Sequence, residues 1–236
     1  MNQAPLRVTL LGMGRMGREI HALAQERGVT VMAALDEPDV LHDPDRVRAA
    51  LAAADVALDF TAPGAAVGNV ELCLGAGCPV VVGTTGWYDR LDEVTARVHA
   101  ADGALLWAAN FSVGVAVLAA LARRAGELLS RVDDFQAHLV ETHHAGKKDA
   151  PSGTGIVLAE AVSRSLGRAV PVTSVRTGHV PGTHELILDG PFEQVTLRHE
   201  ARNRRVFADG ALRAAAWLKG RKGVYTMHDV LGLEAP

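Results

Sequence analysis

The stretch that decides the fold is residues 6–17, L-R-V-T-L-L-G-M-G-R-M-G. Its first half is a short apolar run with β-branched residues, which predicts a buried strand. Its second half is a turn that contains three glycines, Gly12, Gly14 and Gly17. A helical pattern follows, and residues 29–35 predict a second buried strand that ends in Asp36. Strand, glycine turn, helix, strand and acid together form a dinucleotide-binding fingerprint.

Each part of this fingerprint has a physical reason. The first glycine permits the tight turn, the second lets the backbone approach a pyrophosphate, and the third packs the helix on the strand. Asp36 lies where an acid accepts hydrogen bonds from the adenosine ribose. The alternative, a tight turn without a ligand, explains the glycines but not the acid at the end of the next strand.

The same rhythm continues through the first half of the chain. Further strands are predicted at residues 56–60, 79–82 and 104–107, with helices at 65–75 and 91–98. Repeated strand-turn-helix units predict a Rossmann-like, doubly wound parallel sheet, in which ligands bind at the carboxyl ends of the strands. The turns there carry Thr61, Thr84, Thr85 and Asn110, which we expect in the nicotinamide half of a cofactor cleft. The alternative is that these residues cap helices.

After Ser112 the pattern changes. Helices are predicted at residues 113–129, 154–166 and 207–218, and strands at 135–141, 172–177, 183–188 and 194–201. Strands that follow one another without helices favour a smaller α+β domain with an open mixed or antiparallel sheet. We therefore expect a dinucleotide-binding domain over residues 1–112 and a second domain over residues 113–207.

A polar stretch, V-E-T-H-H-A-G-K-K-D-A-P-S-G-T-G at residues 140–155, lies between a predicted strand and a predicted helix. His143, His144, Lys147 and Lys148 bring positive charge and groups that exchange protons near neutral pH. Ser152 suits the N-cap of the helix, so the amides of the next two residues favour a carboxylate or a phosphate. This pattern indicates a site for a small dianionic molecule that undergoes proton transfer. A solvated basic loop is the alternative.

Composition limits the other classes of function. Hydrophobic residues make up 48% of the 236 residues, charged residues 22%, and the net charge is −3, which does not favour nucleic-acid binding. No apolar run is long enough to span a membrane, and no signal-peptide pattern is present. Two cysteines, Cys73 and Cys78, fit a reducing cytoplasm. We expect no metal site, because adjacent histidines at a strand end point apart and no acid or cysteine cluster with ligand spacing is nearby.

The chain resembles the 4-hydroxy-tetrahydrodipicolinate reductase, or dihydrodipicolinate reductase, family of lysine and diaminopimelate biosynthesis. The resemblance is carried by E-T-H-H-A-G-K-K-D-A-P-S-G-T in the polar stretch. Further motifs run along the chain in order: G-R-M-G-R, D-F-T-x-P, V-V-V-G-T-T-G, A-A-N-F-S-V-G-V and F-A-D-G-A-L-R-A-A-x-W-L. Because the first motif is specific and the others keep their order, coincidence is improbable.

The resemblance implies an enzyme that reduces a cyclic dicarboxylate with NAD(P)H. It implies that His143 is the acid/base group and Lys147 the proton donor, and that His144, Ser152, Gly153 and Thr154 hold the substrate carboxylates. It also implies a homotetramer formed through the second domain, with a last segment, about residues 208–236, that packs on the first domain. The expected cofactor-binding residues are Gly12, Met13, Gly14, Arg15, Met16, Gly17, Asp36, Thr61, Gly83, Thr84, Thr85, Ala108, Ala109, Asn110 and Phe111.

Two departures from the family pattern concern the cofactor. The glycine turn is one residue shorter than the G-x-x-G-x-x-G of many members, which predicts a tighter phosphate loop. Glu37 follows Asp36 where members that use NADP often have arginine, so we expect NADH to be preferred and NADPH to be the second cofactor. Two rival hypotheses remain at this point: a dehydrogenase of an aspartate- or homoserine-like substrate, and a non-catalytic dinucleotide sensor.

Overall fold

The computed structural model describes residues 4–233, except for the side chains of Glu37, Pro38 and Leu41. The chain divides into two compact units. The first contains the chain up to Phe111 and the segment from Phe207 onward, and the second contains Ser112–Val206. One sheet has six strands and the other has four.

The first unit alternates parallel strands with helices. Its first five strands are β1 (Arg7–Leu11), β2 (Thr30–Leu35), β3 (Val56–Asp59), β4 (Val80–Val82) and β5 (Ala104–Trp107). The helices between them are α1 (Arg15–Glu26), α2 (Glu37–His42), α3 (Pro44–Ala53), α4 (Pro63–Gly75) and α5 (Leu91–Ala100), and α5 follows a 3-10 turn at Tyr88–Arg90. Every residue of β3 and β4 is buried, as apolar runs predict for a parallel sheet covered on both faces.

The position of β1 determines where ligands can bind. β1 lies between β2 and β3 and is parallel to both, and β3 continues the sheet to β4 and β5. Because the strands are parallel, the turns after β1, β3 and β4 meet along one edge of the sheet. The glycine turn after β1 therefore lies on that edge, next to the turn after β3.

The second unit packs two helices on one face of a mixed sheet. Its elements are α6 (Val113–Leu129), β6 (Gln136–His143), α7 (Gly153–Leu166), β7 (Val172–Arg176), β8 (Thr183–Asp189) and β9 (Gln194–Glu200). The strand order is β7-β6-β8-β9; β6 and β7 are parallel, and the other two pairs are antiparallel. Leucines on the inner face pack against α6 and α7: Leu139, Leu186, Leu188 and Leu197.

The end of the chain completes the first sheet. α8 (Arg205–Leu218) is followed by β10 (Gly223–Tyr225) and α9 (Met227–Val230). β10 pairs in parallel with β5, which gives the strand order β10-β5-β4-β3-β1-β2. Gly210 allows α8 to pack directly on backbone, because a Cβ there would lie 1.7 Å from the carbonyl oxygen of Phe111. Lys219 also donates to Asp55, with its Nζ 2.9 Å from Oδ2.

The predicted fold class is confirmed: a Rossmann-like parallel sheet accompanies a smaller unit with a mixed sheet. The predicted elements are present, with ends that differ by one or two residues. Five elements were not predicted: α2, α3, the 3-10 turn at Tyr88–Arg90, β10 and α9. For α3 a signal exists in Asp43-Pro44, since Asp43 caps the helix by accepting from the Arg46 amide and proline suits the first turn.

Candidate active site

The three glycines of the turn after β1 have different surroundings. Gly12 has a φ of +89°, and a Cβ there would lie 2.5 Å from the carbonyl oxygen of Phe60. A Cβ on Gly17 would lie 2.0 Å from the carbonyl oxygen of Gly12. Gly14, the N-cap of α1, has nothing within 4 Å of the place where a Cβ would be. The first and third glycines therefore close the turn, and the second leaves its outer side open.

A groove of about 410 Å³ lies beside the glycine turn. Three turns at the same edge of the sheet contribute to it, namely those after β1, β3 and β4. Its lining is Gly14, Arg15, Met16, Phe60, Thr61, Pro63, Gly83, Thr84 and Thr85. Most of these residues were expected to bind the cofactor, so the fold brings three separate sequence motifs to one place.

The remaining expected cofactor residues lie outside the lining of this groove: Gly12, Met13, Gly17, Asp36, Ala108, Ala109, Asn110 and Phe111. Asp36 accepts a hydrogen bond from the Met13 amide, with Oδ1 2.7 Å from N, and so ties the end of β2 to the glycine turn. Phe111 is buried, with its ring centroid 5.6 Å from that of Phe60.

A buried carboxylate that the sequence analysis missed joins two of the groove's turns. Asp59 is fully buried, and its Oδ1 accepts from the hydroxyls of Thr61 at 2.9 Å and Thr84 at 2.7 Å. Its Oδ2 accepts from Asn69 Nδ2 at 2.7 Å. The two threonines thus line the groove and also hold the turns after β3 and β4 together.

In the second unit, strand register gathers polar side chains into one row on the helix-covered face. Glu141 of β6 pairs with Ser174 of β7 and with His184 of β8, and His184 pairs with His199 of β9. One step along the strands, His143 pairs with Arg176. β6 extends two residues beyond its predicted end, so His143 is the last residue of a strand and not part of the loop.

Serine caps bring the starts of both helices to this row. Ser152 caps α7, as predicted: its Oγ accepts from the Gly155 amide at 3.1 Å, and it lies 3.5 Å from His184 Nε2. Ser112 caps α6, and its Oγ lies 3.4 Å from His199 Nε2. Ser152 is buried and engaged as a cap, which aims the start of α7. Its expected contact with substrate stays a prediction.

Glu141 is the centre of the row and is fully buried. Its Oε1 accepts from Arg176 Nη2 at 2.7 Å and from the Ser152 amide at 3.3 Å. Its Oε2 contacts His143 Nδ1. Burial raises the pKa of Glu141, but hydrogen bonds from Arg176 and Ser174 outweigh it and bring the pKa to about 2, so the carboxylate is ionised at neutral pH.

The two buried histidines both have a lowered pKa, which favours the neutral imidazole at pH 7. Burial lowers the pKa of His143, and it prevails although Glu141 raises that pKa. Burial also lowers the pKa of His184 to about 4, and the neighbouring His143 adds to the effect. Their ring centroids lie 5.3 Å apart in an edge-to-face arrangement.

The other expected site residues lie on the loop between β6 and α7 or at the start of α7. Lys147 Nζ donates to both carboxylate oxygens of Asp149, at 2.7 and 2.8 Å. Gly153 is exposed and Thr154 is half-buried. His144 lines a second groove, of about 350 Å³, together with Ala145, Gly146, Gly178, His179, Pro181 and Arg204.

Ligand atoms of Glu141, His143 and His184 all lie within 4.8 Å of one another, close enough for one metal ion. The expectation of no metal also held that no acid or cysteine cluster with ligand spacing lies nearby, whereas strand pairing brings Glu141 and His184 to His143. Arg176 forms an ion pair with the carboxylate of Glu141, and its positive charge opposes the binding of a second cation there. The expectation of no metal stays a prediction.

Asp59, Glu141, Arg176 and His184 are among the side chains of these sites that were not singled out from the sequence. Glu141 had a signal, since it precedes His143 by two residues on a strand and therefore shares its face. Arg176 and His184 had no such signal in the sequence, because only strand pairing brings them to β6.

The pKa of His184 predicts acid sensitivity. The unfolded chain takes up a proton near pH 6.5 but the folded protein only near pH 4, so stability falls as pH drops between these values. The loss from this one group is about 3 kcal/mol by pH 4. We expect His184→Gln to flatten the dependence of the unfolding free energy on pH, measured by urea denaturation from pH 7.5 to 4. Equal slopes in both proteins would contradict the assignment.

Proteins with a glycine turn after the first strand of a parallel sheet typically bind dinucleotides. A separate unit with proton-active side chains beside a helix start is suited to the substrate of such a cofactor. Fold and site thus define the class of pyridine-nucleotide-dependent oxidoreductases.

The chain belongs to the dihydrodipicolinate reductase family. Residues 6–111 match the family model of the dihydrodipicolinate reductase N-terminus, and residues 114–231 match that of the C-terminus. The resemblance inferred from the motifs is confirmed, and neither rival hypothesis is favoured.

Similar proteins cover nearly the whole chain. A 4-hydroxy-tetrahydrodipicolinate reductase from Thiobacillus denitrificans is 38% identical over 97% of this chain and 99% of its own length. One from Christiangramia forsetii is 33% identical over 96% of this chain and 98% of its own. The fold matches the structure of a dipicolinate-bound dihydrodipicolinate reductase from Paenisporosarcina sp. TG-14, with a TM-score of 0.81 at 22% identity over 94% and 97% of the two chains.

Proposed function

We propose that this protein catalyses the NAD(P)H-dependent reduction of 4-hydroxy-tetrahydrodipicolinate, or of its dehydrated form dihydrodipicolinate, to tetrahydrodipicolinate in lysine and diaminopimelate biosynthesis. The observation that carries the proposal is the 38% identity to a reductase of that name along almost the full length of both chains. The first unit would bind the dinucleotide in the groove beside the glycine turn, and the second would bind the dicarboxylate.

The chemistry of the second unit suits such a substrate. When bound, the nicotinamide supplies a hydride, so the protein must supply a proton and hold two carboxylates. We assign Lys147 as the proton donor and His143 as the acid/base group. His144 and the backbone amides of Gly153 and Thr154, at the positive end of the α7 dipole, are our carboxylate-binding groups.

The test is a coupled assay in which the synthase of the preceding step makes the substrate and NADH oxidation is followed by absorbance. We expect oxidation that depends on the synthase product and saturates with it. A purified protein that binds NADH but leaves it unoxidised under these conditions would overturn the proposal.

We propose a preference for NADH over NADPH. A 2′-phosphate beside Asp36 and Glu37 meets like charge, which at roughly 4 Å and an effective dielectric near 20 is about 4 kcal/mol per pair before relaxation and screening. Because side-chain movement and salt screening reduce this energy, we expect a tenfold preference, or about 1.4 kcal/mol. The side chain of Glu37 lies outside the described residues, so the argument rests on its place in the sequence.

Glu37→Arg should improve NADPH use with little change for NADH, because it removes a repulsion and adds a phosphate partner. The measurement is the ratio of kcat/KM for the two cofactors. Glu37→Gln is the matched control, because it removes the charge without adding a partner and should improve NADPH use by a smaller factor. A wild type that already favours NADPH, or an arginine variant with an unchanged ratio, would contradict the prediction.

We also propose a homotetramer in the cytoplasm, with contacts between subunits through the second unit's sheet. In support, α6 and α7 cover only one face, and the other face has no fully buried side chain among the described residues. That face includes Val140, Val175 and Ile187, which are apolar. No helix in residues 4–233 is long and apolar enough to cross a membrane.

Val175→Lys should dissociate this assembly, because it places a charge on the open face. Sedimentation velocity is expected to show a tetramer for the wild type and smaller species for the variant. Leu72→Lys, also at an exposed apolar position but on α4, is the control and should remain a tetramer. A wild type that sediments as a monomer would refute the assembly.

A further inference from the structure

Glu141 and Arg176 are the two charged residues of the polar row that have no role in the function proposed above. They lie on neighbouring strands, β6 and β7, and Glu141 is placed beside His184 by strand register. Glu141 is fully buried, and a buried carboxylate is costly unless several donors hold it. The groups that donate hydrogen bonds to this carboxylate therefore indicate its role.

The two carboxylate oxygens of Glu141 have different partners. Oε1 accepts from Arg176 Nη2 and from the Ser152 amide, which fixes the carboxylate to β7 and to the start of α7. Oε2 contacts Nδ1 of His143, and neither of these two atoms has another partner within residues 4–233. Arg176 Nη2 also donates to the carbonyl of Asp149 at 2.6 Å, so the same guanidinium secures the loop that carries Lys147.

We propose that Glu141 is a positioning residue for His143: held by Arg176, it keeps the proton of the neutral imidazole on Nδ1 and leaves Nε2 to exchange protons. The proposal rests on the proposed function, in which His143 is the acid/base group. An ionised carboxylate can only accept a hydrogen bond, so the nitrogen that faces it must carry the proton. The second nitrogen then has a lone pair available, as general acid–base chemistry requires.

Four titratable or charged groups face His143, and they act on its pKa in different directions. Glu141 raises that pKa, whereas Lys147 and Arg176 lower it. His184, the fourth, packs edge to face against the ring and is neutral at pH 7. Removing the charge of Glu141 should therefore lower the pKa of His143, and removing the charge of Arg176 should raise it.

The opposite directions of the two expected shifts in the pKa of His143 distinguish a positioning role of Glu141 from a purely structural role. Glu141→Gln and Arg176→Gln each remove one partner of the same ion pair, so a structural role would disturb both variants alike. If Glu141 acts on His143, the two variants shift the titration of His143 in opposite directions. Glu185→Gln is the matched control, because Glu185 lies on β8 but on the opposite face of the sheet.

The experiment is an NMR titration of protein with ¹³C- and ¹⁵N-labelled histidine, in which His143→Gln assigns the signal of His143 among the ten histidines. In the wild type we expect the Nδ1–H tautomer. Glu141→Gln should lower the titration midpoint by about one pH unit and move the proton to Nε2, since a glutamine amide can donate to Nδ1. Arg176→Gln should raise the midpoint, and Glu185→Gln should leave it unchanged.

Steady-state kinetics then connect the titration to turnover. Glu141→Gln should lower kcat at least tenfold, with the KM for NADH within about twofold, and the pH limb that reports His143 should move to lower pH. An unchanged tautomer and midpoint in Glu141→Gln, or shifts of one sign in both variants, would overturn the positioning role. If the titrations behave as expected and the wild type does not reduce the substrate, the proposed function fails and the positioning role stands.

Discussion

Replacing Lys147 by alanine is expected to lower kcat by about a hundredfold or more while the dissociation constant of NADH changes less than about twofold. Lys147 lies on the loop between β6 and α7, in the second unit, whereas the glycine turn belongs to the first. Its Nζ donates to both oxygens of Asp149, which holds the amine in place on the loop. Loss of a proton donor affects the chemical step and leaves cofactor binding intact.

Lys148→Ala is the matched control. Lys148 is the next residue, carries the same charge and is exposed. Its removal tests whether the loop needs only positive charge, in which case both variants would lose similar activity. We expect Lys148→Ala to keep kcat within about threefold of the wild type. Near-normal turnover in Lys147→Ala would remove Lys147 from the mechanism.

Gly17→Ala should be among the most destabilising single substitutions in the first unit. Its new Cβ would lie 2.0 Å from the carbonyl oxygen of Gly12, which is backbone and has little room to move. Overpacking against a rigid neighbour costs about 3 kcal/mol. Thermal unfolding should therefore begin several degrees lower, and the distorted turn should also bind NADH poorly.

Gly14→Ala, in the same turn, separates folding from cofactor binding. Nothing lies within 4 Å of the new Cβ, and the backbone has a φ of −67°, which alanine adopts without strain. Stability should therefore stay within about 0.5 kcal/mol of the wild type. A pyrophosphate close to the turn would meet this methyl group, so we expect the affinity for NADH to fall at least tenfold, about 1.4 kcal/mol. Unchanged affinity would show that the dinucleotide does not pass over Gly14.

The first sheet was largely predictable because its strands are local signals. Each predicted strand is an apolar run, and burial on both faces makes such runs continuous. The turns after β1, β3 and β4 are also rich in glycine or threonine. β10 has only three residues, too few for a period to show, and its place depends on pairing with β5. The strand order could not be predicted from the sequence either, since strand pairing joins residues that are distant in sequence.

The site was predictable to the extent that its residues are close together in the sequence. His143, Lys147 and the Ser152 cap belong to a single stretch of sequence, in which the residue types indicate the chemistry. Arg176 is 35 residues from Glu141, and Thr84 is 25 residues from Asp59, so these contacts arise only from tertiary structure. The candidate reacting groups therefore lie in one stretch of sequence, and the structure adds the buried carboxylates that hold their surroundings in place.

The central claim is that this protein transfers a hydride from the nicotinamide to a cyclic dicarboxylate. Its most direct test uses NADH with deuterium at the transferred C4 position, together with the product of the preceding synthase. Mass spectrometry of the reduced product should show one deuterium per molecule, formed in step with NADH oxidation. Oxidation of NADH without deuterium in tetrahydrodipicolinate, or no oxidation when both ligands are present, would contradict the claim.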